Sequence, residues 1–134
     1  MEPSFLRQSG WITPSSFANP IHIVGCGAVG SNLALMLARM GAHDFVLYDF
    51  DDVEAHNLPN QAFFTEHIGQ AKVLAVADVL KKFNPTIKVR TYCERFEQKH
   101  AEAIGSGIVC LAVDSLAARG EIADLVRMNS EAQF

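Results

Sequence analysis

A glycine-rich turn between an apolar segment and a helical segment constrains the fold of this chain more than any other feature. Residues 21–24, Ile-His-Ile-Val, lead directly into Gly25-x-Gly27-x-x-Gly30, and an apolar stretch covers residues 33–40. This order predicts a strand, a tight turn and a helix. Glycines in such a turn let backbone amides and the start of the helix approach a phosphate closely. The turn favours a nucleotide site, although a plain strand-to-helix turn without a ligand has the same sequence.

Three further segments of strand length alternate with helical segments. Residues 45–48 and 87–93 predict two strands, and residues 107–113 are apolar throughout, as in a strand covered on both faces. Helices are predicted over residues 68–83 and 115–127. The alternation predicts an α/β, Rossmann-like fold: a mostly parallel sheet with helices on both faces. Four strands make a short sheet, so we expect a shortened form of the domain, with one edge completed by another subunit or by further chain.

The composition indicates one globular domain. The chain has 134 residues, of which 49% are hydrophobic and 19% charged, values that exclude a disordered or collagen-like chain. Residues 1–19 are rich in Pro and Ser without a sustained period, which predicts an N-terminal arm. Residues 20–134 are predicted to form the nucleotide-binding domain.

Charge and cysteine content narrow the class of protein. The formal net charge of −4 gives no broad cationic surface for nucleic acid, and no apolar stretch has the length of a membrane span. We therefore expect no nucleic-acid or membrane partner and a cytoplasmic location. Cys26, Cys93 and Cys110 form no Cys-x-x-Cys pair, which argues against a zinc cluster or a disulfide framework. All three are predicted to be buried, and the five histidines show no metal-ligand spacing.

A carboxylate follows the second predicted strand. Asp49 lies about twenty residues after the glycine turn, where an acidic side chain can accept hydrogen bonds from ribose hydroxyls. This feature alone fits an NAD-dependent protein, but the same turn also serves flavin and adenine nucleotides.

An ordered series of short motifs carries a more specific resemblance. The series consists of Asp49-Phe50-Asp51-Asp52, Asn57-Leu58-Pro59-Asn60-Gln61, Ile68-Gly69-Gln70-Ala71-Lys72, Asn84-Pro85, and Asp114 followed by Arg119. In this order, over residues 21–127, the chain resembles the ThiF/MoeB/HesA adenylyltransferases, which are relatives of the ubiquitin-activating enzymes.

The resemblance implies an ATP site and a role for each matching residue. Its nucleotide-binding residues would be Gly25, Gly27, Gly30, Asp49, Asp51, Asn57, Gln61 and Lys72. Of the two neighbouring carboxylates, Asp51 is favoured over Asp52. Lys72 would also be catalytic, and Asp114 would be catalytic and hold Mg²⁺. The implied reaction is the ATP-dependent adenylylation of the C-terminal carboxylate of a small ubiquitin-like or sulfur-carrier protein, by a homo- or heterodimer.

Two departures from the family pattern bear on catalysis. Asn60 stands where the family has an arginine in Asn-Leu-x-Arg-Gln, which removes a cation from the triphosphate site. The pair Arg7-Gln8 resembles an Arg-Gln pair near the family's N-terminus, from which an arginine reaches the ATP of the other subunit. Arg7 is therefore a third catalytic candidate, and Arg119 is a further cation.

Other interpretations stay open at this point. Lys72 is otherwise a solvated helix residue, Asp114 a helix cap, and Arg119 a partner for acids on its own helix. At the level of the protein, the alternatives are a noncatalytic ThiF-like partner subunit and, as a weaker hypothesis, an NAD-dependent oxidoreductase.

Overall fold

The computed structural model describes residues 2–129. Its strands and helices follow one another in the order β1 Ile21–Val24, α1 Ala28–Met40, β2 Asp44–Tyr48, α2 Lys72–Phe83, β3 Lys88–Tyr92, α3 Gln98–Glu102, β4 Ile108–Leu111 and α4 Leu116–Asn129. Four short 3₁₀ turns precede or connect these elements: Leu6–Gln8, Pro14–Ser16, Ala55–Asn57 and Thr65–His67.

The four strands form one parallel sheet in the order β3-β2-β1-β4. Ile21 of β1 pairs with Phe45 of β2 on one side and with Ile108 of β4 on the other. Parallel neighbours need crossover connections, which α1, α2 and the segments before β4 supply. The predicted Rossmann-like fold is confirmed.

Each face of the sheet is covered by its own helices. Helices α1 and α2 pack together over one face, where Ile23, Phe45 and Leu80 are fully buried. Helices α3 and α4 cover the other face, where Val126 of α4 packs with Tyr48 and Val109. The two cores hold the carboxyl ends of β1, β2 and β4 at one edge of the sheet, and this edge carries the candidate site.

The outer strands are less covered than the sequence predicts. Strand β4 was expected to be buried on both faces, but only Val109 is buried, because β4 is an edge strand. Strand β3 is the other edge, with Lys88, Arg90 and Tyr92 exposed. Cys93 follows β3 and is exposed, so its predicted burial is wrong; the strand ends one residue before it.

The N-terminal segment docks on the end of α1. The side-chain amide of Gln8 donates to the carbonyl of Met40, and Pro14 packs against Gly41, whose φ of 113° ends the helix. The proposed boundary between arm and domain at residue 20 stays a prediction. No helix of the described residues has the length and apolarity to cross a membrane.

Candidate functional site

A cavity of about 440 Å³ opens at the carboxyl ends of the strands. Its walls come from the glycine turn after β1, residues 48–51 at the end of β2, residues 94–97 after β3 and residues 112–115 after β4. The start of α2 and the first two turns of α4 complete them. Ligands of open α/β sheets bind at this edge, and the volume lies within the range of small-molecule sites.

The glycine turn lines the cavity through two of its three glycines. Gly25 has a φ of +96°, and a Cβ there would lie 2.8 Å from the carbonyl carbon of Ala112. Gly27 precedes the first residue of α1 and faces the cavity with Gly25. Gly30 does not line the cavity: a Cβ on it would lie 1.7 Å from the carbonyl oxygen of Gly25. Gly30 thus lets α1 pack on the turn, and Gly25 and Gly27 are placed to meet a ligand.

The carboxylate of Asp49 fixes the turn from the neighbouring strand. Its Oδ2 accepts a hydrogen bond from the backbone N–H of Cys26 at 2.7 Å, and its Oδ1 accepts one from Asp51 N–H at 2.8 Å. Each oxygen keeps a lone pair for a ribose hydroxyl. Burial and the Asp49 charge raise the pKa of the Cys26 thiol well above its usual range, so Cys26 is a packing residue.

Lys72 is buried on the cavity wall. It is the first residue of α2, its backbone N–H donates to the carbonyl of Asp51, and only 8% of the residue is exposed. Within residues 2–129 its ammonium makes no hydrogen bond or ion pair, although its charge acts on the pKa of Cys26. Its nitrogen is not among the fully buried side-chain atoms of these residues that lack a hydrogen-bond partner, so the ammonium is in contact with the open cavity. Lys72 thus offers a cation to an anionic ligand in the cavity, and the burial of most of its side chain does not fit the interpretation of Lys72 as a solvated helix residue.

Asp114 lies on the same wall at the end of β4 and is exposed. The helix that follows is capped by Ser115, whose hydroxyl oxygen accepts from Ala118 N–H at 3.2 Å. The carboxylate of Asp114 is thus free for a ligand, and a capping role belongs to its neighbour. The guanidinium of Arg119 donates to the carbonyl of Val113 at 2.7 Å and does not pair with acids on its own helix.

Asn57 and Gln61 stand outside the cavity wall. Asn57 is buried, and its Oδ1 accepts from Glu54 N–H at 2.8 Å, so it closes the 3₁₀ turn Ala55–Asn57. Gln61 Nε2 comes within 3.9 Å of a Cβ placed on Gly27, and Gln61 Oε1 is a buried oxygen without a hydrogen-bond partner. Asn60 is exposed, and its carbonyl accepts from Asn32.

One wall of the cavity, residues 94–97, was not predicted from the sequence. His100 holds this segment at both ends: its Nε2–H donates to Glu94 Oε1 at 2.7 Å, and its Nδ1 accepts from Glu97 N–H at 2.8 Å. Phe96 packs edge-on against Tyr48, with 5.0 Å between ring centroids. The one sequence feature that could have predicted this wall is the position of the segment, because it follows the carboxyl end of a predicted strand.

Arg7 is not brought to this cavity. It lines a second depression of about 350 Å³ with Arg39 and Phe83, where α1 and α2 end. The 13 residues of α1 separate the two places by about 20 Å. Within one chain, Arg7 is therefore remote from Gly27, Asp49, Lys72 and Asp114, and a role for it requires a second subunit.

The histidines are satisfied by protein groups. His67 is buried, and its Nε2 lies 2.9 Å from Asp78 Oδ2, in a cluster with Glu66 that has the spacing of metal ligands. The ammonium of Lys82 pairs with both carboxylates and thus occupies the place of a cation. His56 is exposed and pairs with Glu54, away from the residues that line the cavity.

Comparisons with known proteins agree on one family. The ThiF family model matches residues 17–132. The adenylyltransferase and sulfurtransferase MOCS3-1 of Zea mays is 38% identical over 107 residues, which cover 78% of this chain and 23% of that protein. The ubiquitin-like modifier-activating enzyme 5 of Drosophila melanogaster is 42% identical over 73 residues, which cover 54% of this chain and 18% of the enzyme.

Solved structures show the same fold. The E. coli tRNA N6-threonylcarbamoyladenosine dehydratase TcdA in complex with ATP has a TM-score of 0.78 and 29% identity over 87% of this chain and 50% of its own. E. coli MccB with ATP has a TM-score of 0.73 at 23% identity, which shows the fold alone. The chain spans about a fifth of the length of these curated relatives and about half of TcdA.

Proposed function

Because the chain belongs to the ThiF family, we propose that it binds ATP in the cavity at the carboxyl ends of its strands and adenylylates a carboxylate. The observation that carries this proposal is the ammonium of Lys72, which a largely buried side chain holds on a wall shared with the glycine turn and Asp49. The ATP complex of TcdA supports the choice of nucleotide. The names of the MOCS3 and activating-enzyme relatives support a small ubiquitin-like or sulfur-carrier protein as the partner.

The reaction needs positioning more than proton transfer. A C-terminal carboxylate is already ionised at neutral pH, so its oxygen attacks the α-phosphorus of ATP without a general base. The new bond joins the carboxylate oxygen to phosphorus, the bond from the α-phosphorus to its bridging oxygen breaks, and pyrophosphate leaves. The protein must bring two anions together. The Lys72 ammonium and the backbone amides of the glycine turn supply the positive charge and the N–H donors that offset their repulsion.

The charge of the cavity favours a divalent cation with the nucleotide. Six carboxylates line the cavity against two cationic side chains, so a bare triphosphate meets a negative wall. Asp114 and Asp51 are exposed oxygen donors on this wall, the ligand type that Mg²⁺ prefers. When bound, Mg²⁺ offsets the negative charge of the phosphates.

Catalysis is tested by pyrophosphate exchange into ATP with Lys72→Met and, as the matched control, Lys81→Met, an exposed lysine near the far end of the same helix. We expect Lys72→Met to lower exchange by at least about a hundredfold, the loss typical of one electrostatic catalytic group, and Lys81→Met to leave it unchanged. Equal activity of both variants would contradict the proposed role of Lys72.

Pyrophosphate exchange and ligand-induced thermal shifts together separate the alternative functions. ATP binding without exchange, with every candidate carboxylate, would favour the noncatalytic partner subunit, which the absence of an arginine at Asn60 also supports. A larger thermal shift with NAD than with ATP and Mg²⁺ would favour the oxidoreductase. A homo- or heterodimer that brings Arg7 to the other subunit's cavity, and a cytoplasmic location, remain parts of the proposal.

A further inference from the structure

The depression at the ends of α1 and α2 is separate from the cavity at the carboxyl ends of the strands. It has a volume of about 350 Å³, which lies within the range of small-molecule sites. The N-terminal segment contributes residues 3–5, 7 and 8 to its lining, and the two helices contribute Arg39 and Phe83. Among the described residues, its charged lining consists of Arg7 and Arg39, and no acidic side chain lines it.

These two arginines differ from the other arginines of the chain in having no protein partner. The chain has six arginines. Four of them make an ion pair, a hydrogen bond to a carbonyl or a contact with an aromatic ring: Arg90, Arg127, Arg119 and, over the Phe50 ring, Arg95. Within residues 2–129, Arg7 and Arg39 make no such contact. On a chain of net charge −4, two unpaired guanidinium groups in one depression indicate a site for an anion.

The end of α1 does not use the Arg39 side chain. The carbonyls of residues 37 and 38 accept the backbone N–H groups of residues 41 and 42. The side-chain amide of Gln8 donates to the carbonyl of Met40. The guanidinium of Arg39 is therefore left to other acceptors, and its planar fork suits two parallel hydrogen bonds to the oxygens of a phosphate.

The uncharged part of the lining is mostly apolar. Pro3, Phe5 and Phe83 line the depression, and both rings are half-buried. Phe83 also packs against the core beneath α1 and α2. An inorganic ion would leave the exposed parts of these rings in contact with water, whereas a ligand with an aromatic body would cover them. The lining thus fits an organic anion better than an inorganic one.

We propose that this depression binds a phosphate monoester with an aromatic body, which packs on Phe5 and Phe83 while the phosphate accepts hydrogen bonds from Arg7 and Arg39. A phosphate monoester carries a charge close to about −2 at pH 7, which two guanidinium groups offset. The bound ligand joins the N-terminal segment to the ends of both helices. It also holds Arg7 on its own chain, so it competes with any role of Arg7 at another subunit's cavity.

The test is a calorimetric titration of the full chain with phenyl phosphate and with inorganic phosphate. We expect phenyl phosphate to bind more tightly, because it also covers the rings. Arg39→Gln and Arg7→Gln should each weaken its binding about tenfold, the loss expected for a charge-assisted hydrogen bond. The matched control, Lys81→Gln, removes an exposed cation near the end of α2 that does not line the depression, and should leave binding unchanged.

Several results would overturn this proposal. Equal weakening by Arg39→Gln and Lys81→Gln would show a general attraction of anions instead of a site. Loss of phenyl phosphate binding in Lys72→Met would place the ligand in the other cavity. Absence of phenyl phosphate binding, or an equal affinity for inorganic phosphate, would also contradict the proposal. ATP binding and pyrophosphate exchange test the proposed function separately, because Lys72 and the glycine turn do not line this depression.

Discussion

Gly30 and Gly120 both lie inside helices, but only Gly30 has backbone packed against its α-carbon. A Cβ on Gly30 would lie 1.7 Å from the carbonyl oxygen of Gly25, whereas a Cβ on Gly120 meets nothing within 4 Å. We expect Gly30→Ala to lower the free energy of unfolding by more than about 3 kcal/mol, because backbone must move. Gly120→Ala should raise it by about 0.5 to 1 kcal/mol through helix propensity. Urea unfolding measures both, and a tolerated Gly30→Ala would contradict the packing described for the turn.

His22 is a buried titratable residue of β1. Its Nδ1 lies 2.9 Å from the hydroxyl of Tyr48, and burial, with a smaller effect of the Arg90 charge, lowers its pKa to about 4 against the opposing charge of Asp44. Between that pKa and about 6.5, the value in the unfolded chain, the unfolded state binds the proton more strongly. Stability is therefore full above about pH 6.5 and falls as the pH drops toward 4.

We expect this one histidine to remove about 2 kcal/mol from the free energy of unfolding between about pH 7.5 and about pH 5. Urea unfolding at the two pH values measures the loss. His22→Asn should reduce the difference between them, and His43→Asn, at an exposed histidine, should keep it. A pH dependence that His22→Asn leaves unaltered would assign the effect to other groups.

Among the elements, α3 is short; it packs on α4 and buries Ala101, and the His100 side chain joins it to the cavity wall. His100 binds Glu94 and the backbone of Glu97 and is 4% exposed, so it joins the start of α3 to the cavity wall. We expect His100→Ala to cost about 2 to 4 kcal/mol of unfolding free energy, since it leaves a cavity and an unpaired N–H group. It should also weaken ATP binding, because residues 94–97 lose their anchor.

The matched control for His100 is His56→Ala, at an exposed histidine that pairs with Glu54. We expect a change of less than about 0.5 kcal/mol from this surface position. Thermal unfolding and ATP titration of the two variants give both quantities. Equal stability of the two variants would show that α3 is held by its apolar contacts instead.

In the whole molecule, as far as residues 2–129 describe it, the sheet has two edges to which no further strand pairs, and the two edges differ in character. The β3 edge exposes Lys88 and Arg90, charged residues that oppose strand pairing with other chains. The β4 edge carries the half-buried apolar residues Ile108, Cys110 and Leu111. Because apolar residues gain from burial and charged residues do not, we expect a second copy of the chain or another polypeptide segment to pack at the β4 edge.

We expect sedimentation velocity of this chain to show a dimer whose share grows with protein concentration. Hydrogen exchange should then slow at β4 as the concentration rises and stay constant at β3. A monomer at every concentration, with β4 amides exchanging as fast as those of β3, would contradict self-association through this edge. That result would favour a larger domain or a different partner protein as the structure that packs against the β4 edge.

Local signals in the sequence predicted the path of the chain and the residues that follow its strands. Gly25 and Gly27, the apolar segment before them and Asp49 after β2 are local signals, because a positive φ, a short strand and a strand-end carboxylate depend on neighbouring residues. For the same reason the order of strands and helices was predictable, and the motif series identified the family. The burial of Lys72 and the freedom of the Asp114 carboxylate are not local properties, since they depend on packing and on the capping hydroxyl of Ser115.

Which distant residues share the cavity follows from the packing of the whole fold. The 94–97 wall, the Arg95–Phe50 contact and the His100 anchor join segments whose sequences carry no signal of their meeting. The same is true of exposure, because the sequence predicts burial for both Cys93 and β4. Cys93 lies just past the end of β3, and β4 lies at an edge of the sheet. Local sequence specifies backbone conformation, whereas burial and proximity depend on the order of the strands in the sheet, and that order is a property of the whole fold.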